Sequence, residues 1–554
     1  MLRDYQNAAL FAIRKDYEGG YRQVVVSMPC GTGKTQVFSH LPEFMKDILP
    51  LRTLVLAHRS ELLDQAIEKI KTANPTLTVS KEMGGSVADE NADVIVASTA
   101  TLGRAGTKRA DRFDWSSIGI VITDECHHST AQTYLNIYER AGVSTPDTKK
   151  LHVGFTATPQ RSDGTALAAV YKKVSYVYGL RTAIEAGWLV KIRGYRVVTT
   201  TDISGVGTTA GDFNLSDLET ALNTPERNKR IVEAWQEKGG SRPTVVFAAG
   251  IEHARALSEA FTVSGVPSEA IWGDDPERSQ KLQDFQAEKI LVLVNCSILT
   301  EGVDLPLVGC VVIARPTKSG VLFTQMVGRG TRLHPGKEDC IILDVLDSCG
   351  HHSLQSLPSL MGMPAALDLR GQSITDAVKL IEEMQDQNPN VDFSKLKDIE
   401  KLKQFIEEVN LFEIRFPKEV EENSELRWCR AVDGGYTMKI ARPALDSTST
   451  KAGRVRIYKN ILNQWEICGA IKDREFLGIR NSVEEAFACA DQQIRERSPE
   501  SMSLLNRKAG WTNKPATKAQ MTLLSRLYGK NKQWPDDFTQ GQASHFIDQR
   551  IGGK

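Results

Sequence analysis

Near its N-terminus the chain reads Val24-Val25-Val26-Ser27-Met28-Pro29-Cys30-Gly31-Thr32-Gly33-Lys34-Thr35, an apolar run that breaks into a glycine loop. The β-branched run predicts a buried strand, and the residues after the loop predict a helix. Backbone N–H groups of Gly31, Thr32 and Gly33 can turn inward at this loop, beside the positive end of the helix. Such a loop is suited to phosphate, with Lys34 as a cation and the Thr35 hydroxyl as a ligand for the Mg²⁺ that accompanies a nucleotide. A glycine turn that binds nothing is the alternative.

Charge is distributed unevenly along a chain whose formal net charge is zero. Its 554 residues allow three or four domains. Residues 424–554 hold 22 lysines and arginines against 14 aspartates and glutamates, which leaves 47 against 55 upstream. A basic tail on an acidic body predicts a nucleic-acid contact surface, and a solvated positive face is the alternative.

The cysteines and the N-terminus bear on location. Nine cysteines occur without a C-x-x-C pair, which predicts a reducing compartment. The sequence begins an amphipathic segment at once and has neither a signal peptide nor an apolar run near twenty residues. We therefore expect a soluble protein with no membrane partner, cytoplasmic if its origin is bacterial or phage, as we favour, and mitochondrial if it is eukaryotic.

Up to about residue 190, short apolar strands alternate with helical periods, which is typical of a parallel sheet covered by helices. The predicted strands are 24–27, 53–56, 94–97, 118–122 and 152–155. Polar clusters follow these strands and should converge at one edge of the sheet. The cluster Asp124-Glu125-Cys126-His127-His128 supplies one carboxylate for magnesium, Asp124, and one to orient or deprotonate a water, Glu125. A zinc site at the last three residues is disfavoured, because three adjacent residues cannot reach one tetrahedral ion without distortion.

A second sheet is predicted downstream, with strands near 244–247, 290–294, 311–313 and 340–343 and a helix beginning near Gly250. Residues 194–223 are rich in Thr, Gly and Asp, and we interpret them as a linker or a loop-rich insertion. The second half has no P-loop but contains Gln325-Met326-Val327-Gly328-Arg329-Gly330-Thr331-Arg332. Two arginines three apart on one helical face can both point at a γ-phosphate, so Arg329 and Arg332 are candidate catalytic residues; a surface pair is the alternative.

These motifs together resemble superfamily 2 helicases of the DEAD/DEAH-like type. Met28 stands where the eight-residue P-loop pattern has glycine, and this family relaxes that position, notably in its DNA-repair group with the xeroderma pigmentosum B type. The acidic cluster resembles the Asp-Glu-x-His box, and residues 325–332 resemble motif VI. Seven motifs occur in the family's order between residues 2 and 344. The resemblance implies two tandem RecA-like α/β domains, with ATP and Mg²⁺ as cofactors.

The resemblance also assigns individual roles. Gln6 would contact adenine, while Gly302 and Asp304 of the motif V-like Thr300-Glu301-Gly302-Val303-Asp304 would approach the nucleotide. The resemblance implies that four residues couple the nucleotide to the nucleic acid: His127, Thr156, Thr158 and Gln325. It implies that five residues contact the nucleic acid: His58, Arg59, Ser98, Thr99 and Thr300.

The predicted domains are residues 1–190 and 191–365 for the two RecA-like domains, 366–423 for a helical connector and 424–554 for a basic α+β module. In the connector, Leu396, Ile399, Leu402, Phe405, Ile406 and Val409 fall at helical spacing, as in a packed helix or a partner-binding one. The module should contain two hairpins, turning near 433–435 and 463–464, and helices with capping boxes at Ser482, Thr517 and Thr539. It resembles the tail of fungal mitochondrial branched-DNA helicases and of bacterial and phage relatives. Trp511 and Trp534 are candidates for base stacking or for core packing.

The resemblance implies an ATP-dependent DNA helicase or translocase acting on duplex, forked or branched DNA. Two alternatives stay open. One is the motor subunit of a restriction or defence complex, whose cleavage would come from a partner because the tail has no P-D-x(n)-[D/E]-x-K arrangement. The other is an RNA helicase, with RNA in place of DNA as the partner.

Overall fold

The computed structural model of the chain forms two compact units, Met1–Leu357 and Pro358–Lys554. Each unit is described below by itself. The structure describes residues 2–157, 164–209, 211–299, 303–348, 354–387, 393, 396–402, 418–426, 428–431, 434–440, 453–471, 474–497, 499, 502–506, 515–528, 538–540 and 543.

A seven-stranded, fully parallel sheet forms the first half of the first unit, in the order β3-β4-β2-β5-β6-β1-β7. Its strands are β1 (Gln23–Ser27), β2 (Arg52–Ala57), β3 (Val79–Glu82), β4 (Val94–Ser98), β5 (Ile118–Thr123), β6 (Leu151–Thr156) and β7 (Lys173–Val177). All five predicted strands are confirmed. The two strands that the sequence pattern missed, β3 and β7, lie at the edges of the sheet. Most of their residues are only partly buried, so neither carries the continuous apolar run of a central strand.

A second parallel sheet follows in the same unit, in the order β12-β13-β11-β14-β15-β8. Its strands are β8 (Lys191–Asp202), β11 (Thr244–Phe247), β12 (Ser268–Ile271), β13 (Val292–Asn295), β14 (Cys310–Ile313) and β15 (Asp339–Ser348). A short hairpin, β9 (Thr208–Thr209) with β10 (Asp212–Phe213), stands outside the sheet.

The prediction of a linker or loop-rich insertion over 194–223 is wrong for most of its length. Residues up to Asp202 belong to β8, an edge strand whose buried and exposed positions alternate, so its apolar content is diluted. The hairpin follows, and then a helix at Leu215–Leu222, where the Asn214 side chain accepts hydrogen bonds from the N–H groups of Ser216 and Asp217. Phe213, Leu218 and Leu222 are buried in a small cluster that includes Ala249.

Helices cover the two sheets. They are α1 (Asp4–Glu18), α2 (Lys34–Phe44), α3 (Ser60–Ala73), α4 (Thr99–Leu102), α5 (Gln132–Ala141), α6 (Gly164–Val170), α7 (Leu180–Glu185), α8 (Leu215–Leu222), α9 (Pro225–Lys238), α10 (Ile251–Val263), α11 (Arg278–Gln286) and α12 (Gly320–Gly328). Short 3₁₀ turns occur at Ala110–Arg112, Trp115–Ser117 and Cys126–His128. Gly250 precedes α10, as the sequence predicts. Each sheet has its own apolar core, centred on β2, β4 and β5 in the first and on β11, β13 and β14 in the second.

The second unit contains an antiparallel sheet of five strands. These are β16 (Cys429–Arg430), β17 (Tyr436–Ile440), β18 (Gly453–Lys459), β19 (Trp465–Ile471) and β20 (Arg474–Arg480). Its helices are α13 (Ile374–Gln387), α14 (Lys418–Asn423), α15 (Val483–Arg497), α16 (Met502–Leu505) and α17 (Lys518–Tyr528), with 3₁₀ turns at Pro358–Met361 and Ile399–Lys401. Phe487 and Ile494 of α15 pack with Trp428 in the core of this unit.

Predictions for the second unit are largely confirmed within the described residues. Both hairpins form, and Ser482 and Thr517 accept from the N–H groups of Glu485 and Gln520 at the starts of α15 and α17. Leu396, Ile399 and Leu402 are buried, although a 3₁₀ turn stands where one helical face was predicted. Phe405, Ile406, Val409, Trp511, Trp534 and the third capping box at Gln542 lie outside the described residues.

Candidate nucleotide-binding site

The glycine loop after β1 has the backbone that a phosphate cradle requires. Gly31 and Gly33 both have φ of 83°, in the left-handed region that favours glycine, and α2 begins at Lys34. A Cβ on Gly33 would lie 2.6 Å from Gln6 Nε2, so a side chain at this position would collide with α1. Thr32 is fully buried, and its hydroxyl donates to the carbonyl of Pro29 at 2.7 Å. The loop is therefore held from inside the protein, with α2 starting directly behind it.

The predicted lysine and acid pair meet at this loop. Lys34 Nζ lies 3.6 Å from Glu125 Oε1, and Lys34, Asp124 and Glu125 are all buried. Burial lowers the pKa of Lys34, but the charges of Glu125, Cys30 and Asp124 outweigh this and leave the pKa raised, so the ammonium stays protonated. Burial and the neighbouring Glu125 raise the pKa of Asp124 to about 6. An added cation would favour the charged form of Asp124, as a metal ligand requires.

The turn after β5 is unusual in its backbone. Glu125 has φ of 45°, a left-handed conformation that non-glycine residues rarely adopt and that is often found at active sites. His127 is buried, and its Nδ1 lies 3.4 Å from Glu125 Oε2. The His128 ring contacts the rings of both His127 and His58, at centroid distances of 4.2 and 5.1 Å. The histidine predicted to couple the two ligands therefore lies against the carboxylate predicted to orient water.

Gln6 connects α1 to the glycine loop. Its Nε2 donates to the Thr32 carbonyl at 3.0 Å, and its Oε1 accepts from the N–H of Arg3. Around it lies a group of aromatic residues that no sequence motif predicted. Tyr5 stacks on Tyr178 at 4.2 Å, and the Arg3 guanidinium lies 4.1 Å from the centroid of Trp188. Tyr178 and Trp188 follow β6 in the sequence, and nothing in their spacing links them to Gln6.

The second sheet contributes its arginines to the same loop. A Cβ on Gly328 would lie 2.6 Å from Cys30 Cβ, and one on Gly31 would lie 3.1 Å from Arg332 Cγ, so the end of α12 and the glycine loop are closely packed. Arg329 is buried, donates to the Val303 carbonyl at 2.6 Å, and lies close enough to Lys34 for its charge to offset part of the rise in the pKa of Lys34.

The prediction that Arg329 and Arg332 share one helical face is wrong. The helix ends at Gly328, with Arg329 as its C-cap. Glycine is a poor helix former, and a Cβ at Gly330 would overlap Cys340, so the chain turns closely over β14 and β15. Arg332 still reaches the glycine loop, where it pairs with Asp304, which is mostly exposed. In the same turn the Thr331 carbonyl accepts from the N–H of Val190, at the point where the chain passes from the first sheet to the second.

The remaining predicted residues are distributed along the strand ends. Arg59 Nη1 donates to the Ile298 carbonyl at 3.4 Å, and Arg278 pairs with Glu61 at 3.3 Å, so the start of α3 contacts α11 and the segment after β13. The side chains of Ser98, Thr99, Thr156 and Gln325 are buried. Thr35 occupies the first turn of α2 and is partly buried. Thr158, Thr300 and Gly302 lie outside the described residues.

The donor set fits a magnesium nucleotide better than a metal ion held by protein alone. Among the described residues, no three His, Cys, Asp or Glu side chains cluster in a way that would hold a metal ion. Asp124 and the Thr35 hydroxyl are oxygen donors of the kind that Mg²⁺ uses together with phosphate oxygens. The left-handed glycines, Lys34 and the start of α2 fit the phosphates. These residues would hold ATP and Mg²⁺.

Three family models match the chain in the order of its structure. A model described as type III restriction enzyme, res subunit, matches residues 1–161, and the helicase conserved C-terminal domain matches residues 226–334. The C-terminal domain of mitochondrial helicase Irc3 matches residues 380–554. The chain belongs to superfamily 2 of the helicases. The two parallel sheets are thus the paired domains of a superfamily 2 core.

The similar proteins are longer than the shared region. The chain is 36% identical over 376 residues to a protein named ATP-dependent helicase IRC3 from Saccharomyces cerevisiae, covering 66% of this chain and 54% of that one. It is 34% identical over 370 residues to a mitochondrial ATP-dependent helicase, irc3, from Schizosaccharomyces pombe, covering 65% and 60%. The DNA 3'-5' translocase XPB2 of Sulfurisphaera tokodaii is 24% identical over 59% of this chain and 78% of its own length. This superfamily 2 chain therefore spans little more than half the length of the two yeast relatives.

A solved structure also resembles the chain. A fragment of an HsdR subunit of a type I restriction enzyme from Vibrio vulnificus YJ016 matches with a TM-score of 0.49 at 23% identity, covering 62% of this chain and 64% of the fragment.

Proposed function

We propose that the chain is an ATP-dependent DNA helicase or translocase that couples ATP hydrolysis to unwinding or remodelling of duplex, forked or branched DNA. One observation carries the proposal. Within one compact unit, Lys34 and Glu125 of the first sheet lie 3.6 Å apart beside a left-handed glycine loop, and Arg332 of the second sheet packs against that loop. A nucleotide site built from both sheets links hydrolysis to movement between them.

The residues divide the chemistry among themselves. Bound ATP with Mg²⁺ supplies a phosphoryl group that water can attack. Lys34 and the amides of the glycine loop would hold the phosphates, and Asp124 with Thr35 would hold the metal. Glu125 would orient the attacking water and accept its proton, while Arg329 and Arg332 would stabilise the charge that develops on the phosphoryl oxygens.

ATPase assays with single-stranded, duplex, forked and four-way DNA, and with matched RNA, test this proposal. We expect hydrolysis that is stimulated by DNA more than by RNA. Lys34→Ala should abolish hydrolysis and leave the fold intact, because Lys34 faces the loop and its loss leaves the apolar core unchanged. Near-normal hydrolysis by a folded Lys34→Ala variant would contradict the site. Stronger stimulation by RNA than by DNA would show that RNA is the substrate and would favour an RNA helicase.

A second candidate is the motor subunit of a restriction or defence complex. It is supported by the res-subunit model and by 26% identity over 370 residues to a type I restriction enzyme EcoAI endonuclease subunit from Escherichia coli. Such a motor would hydrolyse ATP and translocate on duplex DNA without separating its strands. Displacement of a bound triplex-forming strand without unwinding of forked DNA would favour this function.

We also propose that the C-terminal unit contributes to DNA binding. Its support is the excess of basic residues over 424–554 and the Irc3 C-terminal model. Truncation after Leu357 follows the boundary between the compact units and keeps the nucleotide site complete. DNA affinity should fall, and the slope of log K against log salt should become shallower by about 0.9 for each phosphate of duplex DNA that the truncated protein no longer neutralises. An unchanged slope in a soluble, folded truncation would contradict the proposal.

For cellular location, we propose the cytoplasm if the source is bacterial or phage and the mitochondrion if it is eukaryotic. The name of the Schizosaccharomyces pombe relative supports the second option. Among the described residues, no helix has both the length and the apolar character needed to cross a bilayer. Fractionation of the native source measures the location directly.

A further inference from the structure

Beneath the acid pair, five buried side chains form a closed ring of hydrogen-bonding groups. Thr123 Oγ1 lies 3.0 Å from Tyr138 OH, which lies 2.9 Å from Ser129 Oγ. Ser129 Oγ lies 2.9 Å from Tyr171 OH, and His152 Nε2 closes the circle at 3.2 Å from Tyr171 and 3.1 Å from Thr123. We call this group the hydroxyl ring. None of its members is more than 1% exposed, so water cannot replace a hydrogen bond that is removed from it.

The members of the ring can satisfy one another's hydrogen-bonding groups. Burial lowers the pKa of His152 to about 3, so the imidazole is neutral. Nε2 has either one hydrogen or one lone pair to share between Thr123 and Tyr171, and its role depends on the tautomer. Each of the four hydroxyls can both donate and accept, so all the contacts of the ring can be satisfied within it. The Tyr171 hydroxyl also bonds the Cys126 side chain.

Two members of the hydroxyl ring lie on either side of the acidic turn, residues 124–128, in the sequence. Thr123 immediately precedes Asp124, and Ser129 follows His128, so both ends of the acidic turn are held from below. Between them, Glu125 has its left-handed φ of 45°. A residue in that conformation persists only when its surroundings hold it there. The ring supplies such a hold at both ends of the turn.

The same ring reaches the strand that carries Thr156. His152 lies in β6, and Gly154 two residues later is so close to its neighbours that a Cβ there would lie 2.6 Å from the Tyr171 ring and 2.8 Å from Cys126 Cβ. The acidic turn, β6 and Tyr171 are thus packed without space for adjustment. A displacement of any one of them should therefore displace the others.

We propose that Tyr138 and Tyr171 are positioning residues for ATP hydrolysis. They act through the hydroxyl ring to fix Glu125 over the glycine loop, and they tie its position to the end of β6. This inference rests on the proposed function, because the role concerns the water-orienting carboxylate. Neither tyrosine is assigned a contact with the nucleotide, so their loss should slow the chemical step and leave binding unchanged.

Tyr171→Phe and Tyr138→Phe test the proposal, with Tyr134→Phe as the matched control. Tyr134 is a buried tyrosine one turn earlier in α5 and is not a member of the hydroxyl ring. Each ring variant should lower kcat for DNA-stimulated ATP hydrolysis by about tenfold with KM for ATP unchanged. The double variant should be little slower than either single one, since the ring is already open. The control should keep wild-type kcat.

Hydrogen exchange in the absence of ATP provides a readout that does not depend on the proposed function. The amides of residues 124–129 should exchange faster in both ring variants than in wild type and the control. Wild type without ATPase activity would overturn the proposed function, while the exchange rates would still decide whether the ring holds the turn. Wild-type exchange and kcat in the ring variants would overturn this proposal. Ser129→Ala, which also removes one hydroxyl from the ring, replaces any tyrosine variant that fails to fold.

Discussion

The two parallel sheets of the first unit place carboxylates near their strand ends in opposite ways. In the first sheet, Glu125 lies 3.6 Å from Lys34 in a turn beside the glycine loop. In the second, Asp347 near the end of β15 is enclosed by Arg227 of α9, with Nε–Oδ1 and Nη2–Oδ2 distances of 2.7 and 2.8 Å, and neither side chain is exposed. Thr199 of β8 also donates to Asp347, at 2.6 Å.

This difference explains how one architecture serves two roles. A carboxylate that is neutralised within the protein by a bidentate arginine stabilises the fold. A carboxylate that faces a glycine loop is available to interact with a ligand. The second sheet encloses its own carboxylate and extends other arginines, Arg329 and Arg332, toward the loop of the first sheet. A change at Glu125 should therefore alter the rate of ATP hydrolysis, whereas a change at the Arg227–Asp347 pair should alter the free energy of unfolding.

Glu125→Gln should have the largest effect, and it should be on rate. The amide keeps the shape of the side chain but cannot accept a proton, so ATP hydrolysis should fall by about 10²–10⁴-fold while ATP binding persists. The free energy of unfolding should change little, because the lost attraction to the buried Lys34 is offset by the lost repulsion from Asp124. Phosphate release and nucleotide affinity are the measurements, and Glu139→Gln, an exposed acid on α5, is the control. Abolished binding with slow residual turnover would reverse the roles assigned to Asp124 and Glu125.

Arg227→Met should act on stability. It leaves the buried Asp347 without its cation and should lower the free energy of unfolding by about 3–5 kcal/mol. Arg230→Met on the same helix removes an exposed arginine that lies 3.8 Å from Glu233, and it should cost less than about 0.5 kcal/mol. Urea titration of both variants measures the difference. Equal effects would show that the enclosed pair is not what distinguishes the second sheet.

A pH-dependent effect is expected at Asp344, also in β15. Burial raises its pKa to about 7 and outweighs its hydrogen bond from the N–H of Leu357, so the native state holds a proton that the unfolded chain, with its pKa near 3.8, releases. The stability contributed by this proton is complete below pH 4 and is lost as pH rises toward 7. The free energy of unfolding of Asp344→Asn should therefore exceed that of wild type by about 1–3 kcal/mol at pH 8 and equal it near pH 4. Urea titrations at both pH values, with the exposed Asp147→Asn as control, check this; a constant difference would contradict it.

The strands that could be predicted from sequence are the central ones. Each parallel sheet has its apolar runs in the middle, and the four of its strands that were missed, β3 and β7 in the first sheet and β8 and β12 in the second, lie at sheet edges. An edge strand is half exposed and needs only alternate apolar residues, so β8 resembles a loop rich in threonine. Sequence periodicity therefore identifies the buried central strands, whereas the edge strands are identified only by their pairing with a neighbouring strand in the structure.

The candidate site divides along similar lines. Lys34, Asp124 and Glu125 follow strands, and parallel strands bring their ends together, so their meeting could be predicted. The hydroxyl ring could not, because Tyr138, Tyr171 and His152 have the spacing of ordinary core residues. Likewise, the end of α12 at Gly328 depends on the close approach of Gly330 to Cys340, a contact between segments distant in sequence.

The hydrogen bond from Val190 to Thr331 has a mechanical consequence. The chain crosses from one sheet to the other at that point, 2.9 Å from the carbonyl of a residue that immediately precedes Arg332. Rotation about an axis displaces atoms in proportion to their distance from it. If the sheets turn about this crossing, Arg332 travels a short arc while the remote edges of the sheets travel long ones, so the nucleotide site occupies the short arm of a lever.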